Sequence, residues 1–160
     1  MKVLEVQLLD NGEIIWEDKN LRNVLHTTGE EFILKVLFSG EEEIPENYYL
    51  GLDSRSSLTA SQTIEDLSEP SIANGYQRES VASNGEFTVG ISGGINLATG
   101  PIVTFRATGG SWGPVRNIFL TNESDDSGYL IASIALSAPI TLNDGQIVSM
   151  KLGFSLQDAT

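Results

Sequence analysis

Chemistry has few places to sit in this chain. Its 160 residues include one histidine and no cysteine, so disulfides, thiolate zinc sites and thiol nucleophiles are absent. His26 stands just before a helical stretch. As a general base it would need an activated nucleophile and an orienting acid close in space. As a metal ligand it would need several companions, and carboxylates alone favour calcium or magnesium over zinc. A structural or exposed histidine is the expectation. The run Glu123-Ser124-Asp125-Asp126-Ser127-Gly128 places oxygen ligands at alternate positions, with glycine at the turn, as a calcium loop does. The closing bidentate acid belongs six residues beyond the glycine, and Ile134 stands there instead. Apolar residues flank the run (Ile118, Phe119, Leu120 before it; Leu130, Ile131 after it), so it reads as a polar hairpin loop. Glycosidases work with two carboxylates, but with 22 acidic residues some pair always lies close, and abundance carries no weight. The glycine-rich stretch Ser92–Gly100 is followed by no phosphate-loop lysine and reads as a plain connection. No catalytic, metal or cofactor site is expected, and the chain is expected not to be an enzyme.

Charge narrows the partners. Twenty-two acids against nine bases give a formal charge of −13, the opposite of the basic footprint that binding phosphates requires. Direct nucleic-acid binding is therefore not expected. No apolar run approaches the length of a membrane span, and no charged start followed by an apolar stretch reads as a signal peptide. The charge is also unevenly placed: residues 1–80 hold 16 acids and 6 bases, whereas residues 81–160 hold 6 acids and 3 bases. Much of the excess sits in Glu13, Glu17, Asp18, Glu30, Glu31, Glu46 and the run Glu41, Glu42, Glu43. Such a face either meets a basic partner or simply keeps the surface solvated.

The elements that must position these residues follow from hydrophobic period and turn chemistry. Leu4, Val6 and Leu8 form an apolar row at period two, Asp10-Asn11-Gly12 is a tight-turn signal, and Glu13–Glu17 is the return strand, so residues 1–18 make a hairpin. In the 20–39 segment, Thr28-Gly29-Glu30-Glu31 fits a capping box. Phe32, Ile33, Val36 and Leu37 then recur at helical spacing, widened by Leu34 and Phe38, until Gly40 stops the helix. That stripe reads as core, with partner docking as the alternative. From 47 to 157 the pattern is β-like. Strands are expected at Tyr48–Leu52, Tyr76–Ala82, Glu86–Ile91, Ile102–Ala107, Val115–Thr121, Tyr129–Ser137, Ile140–Leu142 and Ile147–Leu156, with one helical turn at Thr63–Leu67. Many short strands with one α-helix near residues 29–39 predict a single mainly β domain, an antiparallel, jelly-roll-like β-sandwich.

Tyr76, Arg78 and Trp112 are singled out as structural or interface candidates. Arg78, two residues after Tyr76, shares its face if the segment is a strand. It is placed to pair with a carboxylate such as Glu69 or to lie over an aromatic ring. Trp112, at the bend Trp112-Gly113-Pro114, is placed to plug one end of the sandwich, and both Trp16 and Trp112 read as core or interface residues. Asn143-Asp144-Gly145 is a hairpin signal.

The order of several short motifs is similar to that of small tailed-bacteriophage virion structural proteins. These are Glu69-Pro70, Asn74-Gly75-Tyr76-Gln77-Arg78, Ser111-Trp112-Gly113-Pro114-Val115 with Asn117-Ile118-Phe119-Leu120-Thr121, Ser127-Gly128 leading to Leu130-Ile131-Ala132, and Leu136-Ser137-Ala138-Pro139-Ile140-Thr141-Leu142 with Asn143-Asp144-Gly145. Upstream, Asn20-Leu21 and Tyr49-Leu50-Gly51-Leu52 match as well. The acidic insert Glu41–Glu46 and the long Ser92–Gly100 segment depart from the pattern. The resemblance implies a capsid decoration (cement) protein on the capsid exterior, or else a tail, fibre or baseplate/adaptor subunit. It implies homo-oligomers, with a trimer suiting a local threefold site, and contacts to the major capsid protein or to tail proteins. Glu41, Glu42 and Glu43 join Trp112, Tyr76 and Arg78 as interface candidates. A carbohydrate-binding module and a hydrolase with paired carboxylates are the readings from other classes.

Overall fold

The computed structural model describes residues 2–155. They form nine strands, all paired antiparallel: β1 (Lys2–Asp10), β2 (Glu13–Leu25), β3 (Asn47–Asp53), β4 (Glu79–Ala82), β5 (Thr88–Ser92), β6 (Ile95–Arg106), β7 (Trp112–Thr121), β8 (Leu130–Leu142) and β9 (Ile147–Phe154). One helix, α1 (Thr27–Leu34), follows β2. The mainly β, sandwich architecture expected from the sequence is present, and its two antiparallel sheets share β2. The N-terminal part of β2 pairs with β1, from Glu13 opposite Asp10 to Arg22 opposite Lys2. Its last three residues, Asn23–Leu25, pair with β8. One sheet therefore runs β2-β1-β9-β6-β5 and the other β2-β8-β7-β3-β4.

Alternation places one row of most strands between the sheets. Val6 and Leu8 of β1, Val103 and Phe105 of β6, and Val148, Met150 and Leu152 of β9 share one core with Leu50 and Leu52 of β3, Ile118 and Leu120 of β7, and Ile134 of β8. Phe119 points the other way and is also buried, in a second cluster with Ile64 and Leu130 beneath the long β3–β4 connection. Its ring occupies the space where a Cβ on Gly51, its cross-strand partner, would stand.

Several local expectations change. Residues 20–25 continue β2, so the helical segment starts at Thr27 instead of 20. His26 occupies the N-cap position, with no side-chain cap bond. Thr28 donates to the Leu130 carbonyl (2.8 Å) and Glu31 pairs with Lys35 (2.7 Å), so neither forms the expected capping box. The true capping box is Thr63 with Asp66, at the 3-10 turn Ile64–Asp66. After Leu34 the helix widens into a π turn, Lys35–Ser39, closed by Gly40 N–H donating to the Lys35 carbonyl (2.8 Å). Widening rotates the later side chains off the core-facing stripe. Phe32 is buried, Ile33 and Val36 are half-buried, and Leu34, Leu37 and Phe38 are exposed. Tyr76–Arg78 is irregular, with β4 starting only at Glu79. Residues 95–100, read from sequence as connection, belong to β6, so only Gly93-Gly94 remains as a two-residue turn of the β5–β6 hairpin. The segments 129–137 and 140–142 merge into β8 despite Pro139. Leu156 and residue 157, included in the expected last strand and sandwich, lie outside the described residues.

Gly29 is where α1 docks on β8. A Cβ there would run into the Ile131 backbone. In an isolated helix, Gly→Ala stabilises by about 1 kcal/mol. Here Gly29→Ala is expected to reverse that sign and cost about 1–3 kcal/mol through overpacking, measured as a lower midpoint in urea unfolding.

Candidate functional site

Tyr76, Arg78 and Trp112 belong to one network beneath the β3–β4 connection. Tyr76 is buried. Its hydroxyl donates to Glu69 Oε2 (2.7 Å) and accepts from the Leu52 N–H (2.8 Å), so the connection is sewn to β3. Burial first, and the Glu69 carboxylate second, push this phenol far above its ordinary value, and it stays a neutral donor. Trp112 meets the Tyr76 ring edge-on at 5.4 Å between centroids and donates through Nε1 to the Asn74 carbonyl (2.8 Å). It is buried at the end of the sandwich, within the core.

Arg78 holds the other side. Its side chain is 5% exposed, with Nη2 at 2.5 Å from Glu69 and 2.6 Å from Asp126, and its guanidinium lies over the Phe119 ring at 5.2 Å. Burial alone would depress its pKa, but the two carboxylates outweigh that and keep it charged. It also donates to the carbonyls of Glu123 and Asp125. Part of the oxygen set in the 123–128 loop is thus occupied by a guanidinium, the charge-assisted contact that a calcium ion would otherwise supply. Ser127 closes the loop on Asp125 Oδ1 (2.9 Å from its N–H, 2.6 Å from its hydroxyl). Among the described residues no group of three or more His, Cys, Asp and Glu side chains is arranged to hold a metal.

Asp53, unnoticed in the sequence, is fully buried at the end of β3. It accepts from the N–H groups of Arg55 (3.0 Å) and Ser68 (2.7 Å) and from Asn117 Nδ2 (2.8 Å), so it organises the start of the same connection. The available signal was its place directly after the apolar run Tyr48–Leu52. These groups are spent on each other and on backbone, which is the work of a structural hub.

His26 is likewise buried. Its backbone N–H bonds the Ile131 carbonyl (3.0 Å), and Nε2 lies 2.8 Å from Ser133 Oγ on β8. Burial lowers its pKa from 6.5, against a smaller raising influence of the backbone at Gln62 and Thr59.

The surface that remains unsatisfied is at the end of α1. Leu34 is 57% exposed and Phe38 is 81% exposed, and they line one open groove with Glu30, Glu41 and the paired Glu31 and Lys35. Leu37 and Ile44 are exposed nearby in sequence. Glu41, Glu42 and Glu43 do not act alike. Glu42 accepts from the Tyr129 hydroxyl (2.8 Å), which itself accepts from Lys35 (3.2 Å), whereas Glu41 and Glu43 are exposed. The structure therefore separates the candidates: Tyr76, Arg78 and Trp112 belong to the hub, and the acidic run borders the apolar helix end.

No family model matches this chain, and no curated protein matches it either.

Two outcomes follow from the buried groups. Trp112→Ala should cost about 3–5 kcal/mol, read as the shift in denaturant midpoint at unchanged slope. His26 is disfavoured as a cation only in the folded state, so its contribution is complete above pH 6.5 and is lost as pH falls below that value toward its lower folded-state pKa. Unfolding free energy measured from pH 7.5 to 5 should decline, and His26→Gln should flatten that decline.

Proposed function

We propose that this chain is a non-enzymatic structural component of a tailed-bacteriophage virion, a capsid decoration protein that cements the outside of the shell. The order of its short motifs and the antiparallel sandwich both favour this reading. The single observation that carries it further is the helix end, where Leu34 and Phe38 stand exposed in one groove, within a rim of Glu30, Glu41 and the Glu31–Lys35 ion pair that is acidic on balance. Large exposed apolar residues that share one groove mark a surface that another protein covers. The acidic rim selects a partner whose own rim is basic, here a patch on the major capsid protein.

Cementing is a matter of mass action. A subunit that binds the assembled lattice better than separate capsid subunits shifts the equilibrium toward the closed shell. Apolar anchors supply the affinity, and the glutamates steer approach and set orientation. The hub around Tyr76, Arg78 and Asp53 keeps the sandwich rigid enough to present that surface, and homo-oligomerisation multiplies the contacts made per particle.

Cryo-EM of particles from the phage that carries the gene is expected to show this chain on the head exterior with the helix end against the shell. Density only in the tail would replace this reading with a tail, fibre or adaptor role. In reconstitution on decoration-free heads, Phe38→Asp should cost about 2 kcal/mol of attachment, roughly 30-fold. Replacing Glu41 and Glu43 by Gln should reduce the salt dependence of binding. Attachment that Phe38→Asp leaves unchanged would overturn the assignment of this surface.

A further inference from the structure

The nine-strand array has two ends, and they are treated differently. At the β4 end, the Ala82 N–H is taken by Glu86 Oε2 (2.9 Å). At the other end β5 pairs with β6 on one side only, and all five of its residues are exposed. Proteins normally blunt such an edge with lysine, proline or a bulge. Thr88-Val89-Gly90-Ile91-Ser92 carries none of the three.

What β5 carries instead is apolar. Val89 is 73% exposed and Ile91 79% exposed. They lie on one face, because Val89 is opposite Ala98 and Ile91 opposite Asn96 on β6. Ala98 in turn pairs with Phe154 and lines an apolar groove of about 280 Å³ with Phe32, Phe87 and Leu120. The core-facing side of this sheet thus continues outward onto β5, past the last residue that covers it.

Charge points to the occupant. From Phe87 to Phe105 the sequence contains no Asp, Glu, Lys or Arg, in a chain of net charge −13. An acidic protein that meets a copy of itself elsewhere brings like charges together; the β5–β6 arm is the long stretch where that repulsion is smallest. A basic partner would gain nothing from an uncharged arm. The strand is also complementary to itself. In an antiparallel pairing centred on Gly90, Val89 of each copy faces Ile91 of the other, an apolar cross-strand pair made twice by one twofold axis.

We propose that two copies of this chain associate through antiparallel pairing of β5 with β5, which joins their sheets into one. This deepens the oligomeric part of the proposed function, replaces the threefold implied by the resemblance with a twofold, and does not depend on where in a virion the protein sits. Five-residue pairing with two side chains per copy makes a small interface, so the dimer should be concentration-dependent.

Sedimentation velocity of the purified chain over a wide concentration range is expected to show a monomer giving way to a dimer. Ile91→Lys, at a position with no packing to lose, should shift that transition at least roughly tenfold in concentration at an unchanged melting temperature. Because the chain has no cysteine, Gly90→Cys introduces a single thiol on the axis, where a Cβ meets nothing within its own chain. Mild oxidation should link Gly90→Cys dimers in far higher yield than Ile44→Cys at the helix end. A chain that is monomeric throughout, a trimer, an oligomer untouched by Ile91→Lys, or preferential linkage through position 44 would each overturn the proposal. A dimer found together with absence from phage particles would leave the pairing intact and remove the virion reading alone.

Discussion

One strand belongs to two sheets, and the architecture depends on it. The thirteen residues of β2 give most of their length to β1 and their last three to β8. A strand shared in this way brings the inner faces of both sheets together without a linker. It also fixes where α1 begins, because His26 and Thr28, on either side of the helix's first residue Thr27, are bonded to β8 at Ile131 and Leu130. The helix therefore has little freedom in how it lies on the sandwich. Its exposed end is presented by a rigid base.

The second fixed point is the connection between β3 and β4. A segment that long would be costly to order through backbone alone, and polar groups buried beneath it would be unsatisfied. Asp53, Glu69, Tyr76 and Arg78 meet both requirements. Each accepts or donates more than one bond; some join these side chains to one another, and others end on backbone groups of the connection, of β3 or of the 123–128 loop. Phe119 is enclosed by the same arrangement, with Gly51 on its own sheet and the Arg78 guanidinium above it. The carboxylates of Asp53 and Glu69 are consumed in holding loops.

Much of this was legible in the residues. Asn11-Gly12 and Asn143-Asp144-Gly145 gave their hairpins, because positive φ is required there and is found at Asn11, Gly12 and Gly145. Arg78 was matched to Glu69 and to an aromatic ring by chemistry, although the segment is not the strand that the matching assumed. The failures have physical causes. Ser92–Gly100 looks like a loop because glycine weakens strand propensity, yet Gly93 and Gly94 only make the turn while the remainder pairs with β5 and β9. The apolar stripe after Phe32 looks like core because a constant helical period was assumed, and the π turn breaks that period. A capping box at Thr28 was plausible by spacing, but a hydrogen bond to a neighbouring strand competes for the hydroxyl and no sequence pattern records it. Asp53 was missed because burial of a lone carboxylate is set by the loop that folds over it.

The pairing of β1 with β9 has a consequence for how the molecule comes into being. β1 leaves the ribosome before the other eight described strands, and its second neighbour, Ile147–Gly153, emerges after all of them. The hairpin of β5 and β6 likewise attaches to the rest of its sheet through β9. The two hairpins of that sheet must therefore wait, unjoined, until synthesis reaches that strand, and such distant closures make for slow, late maturation. A nascent chain halted before residue 147 would hold one of its two sheets open to chaperones and to other nascent copies.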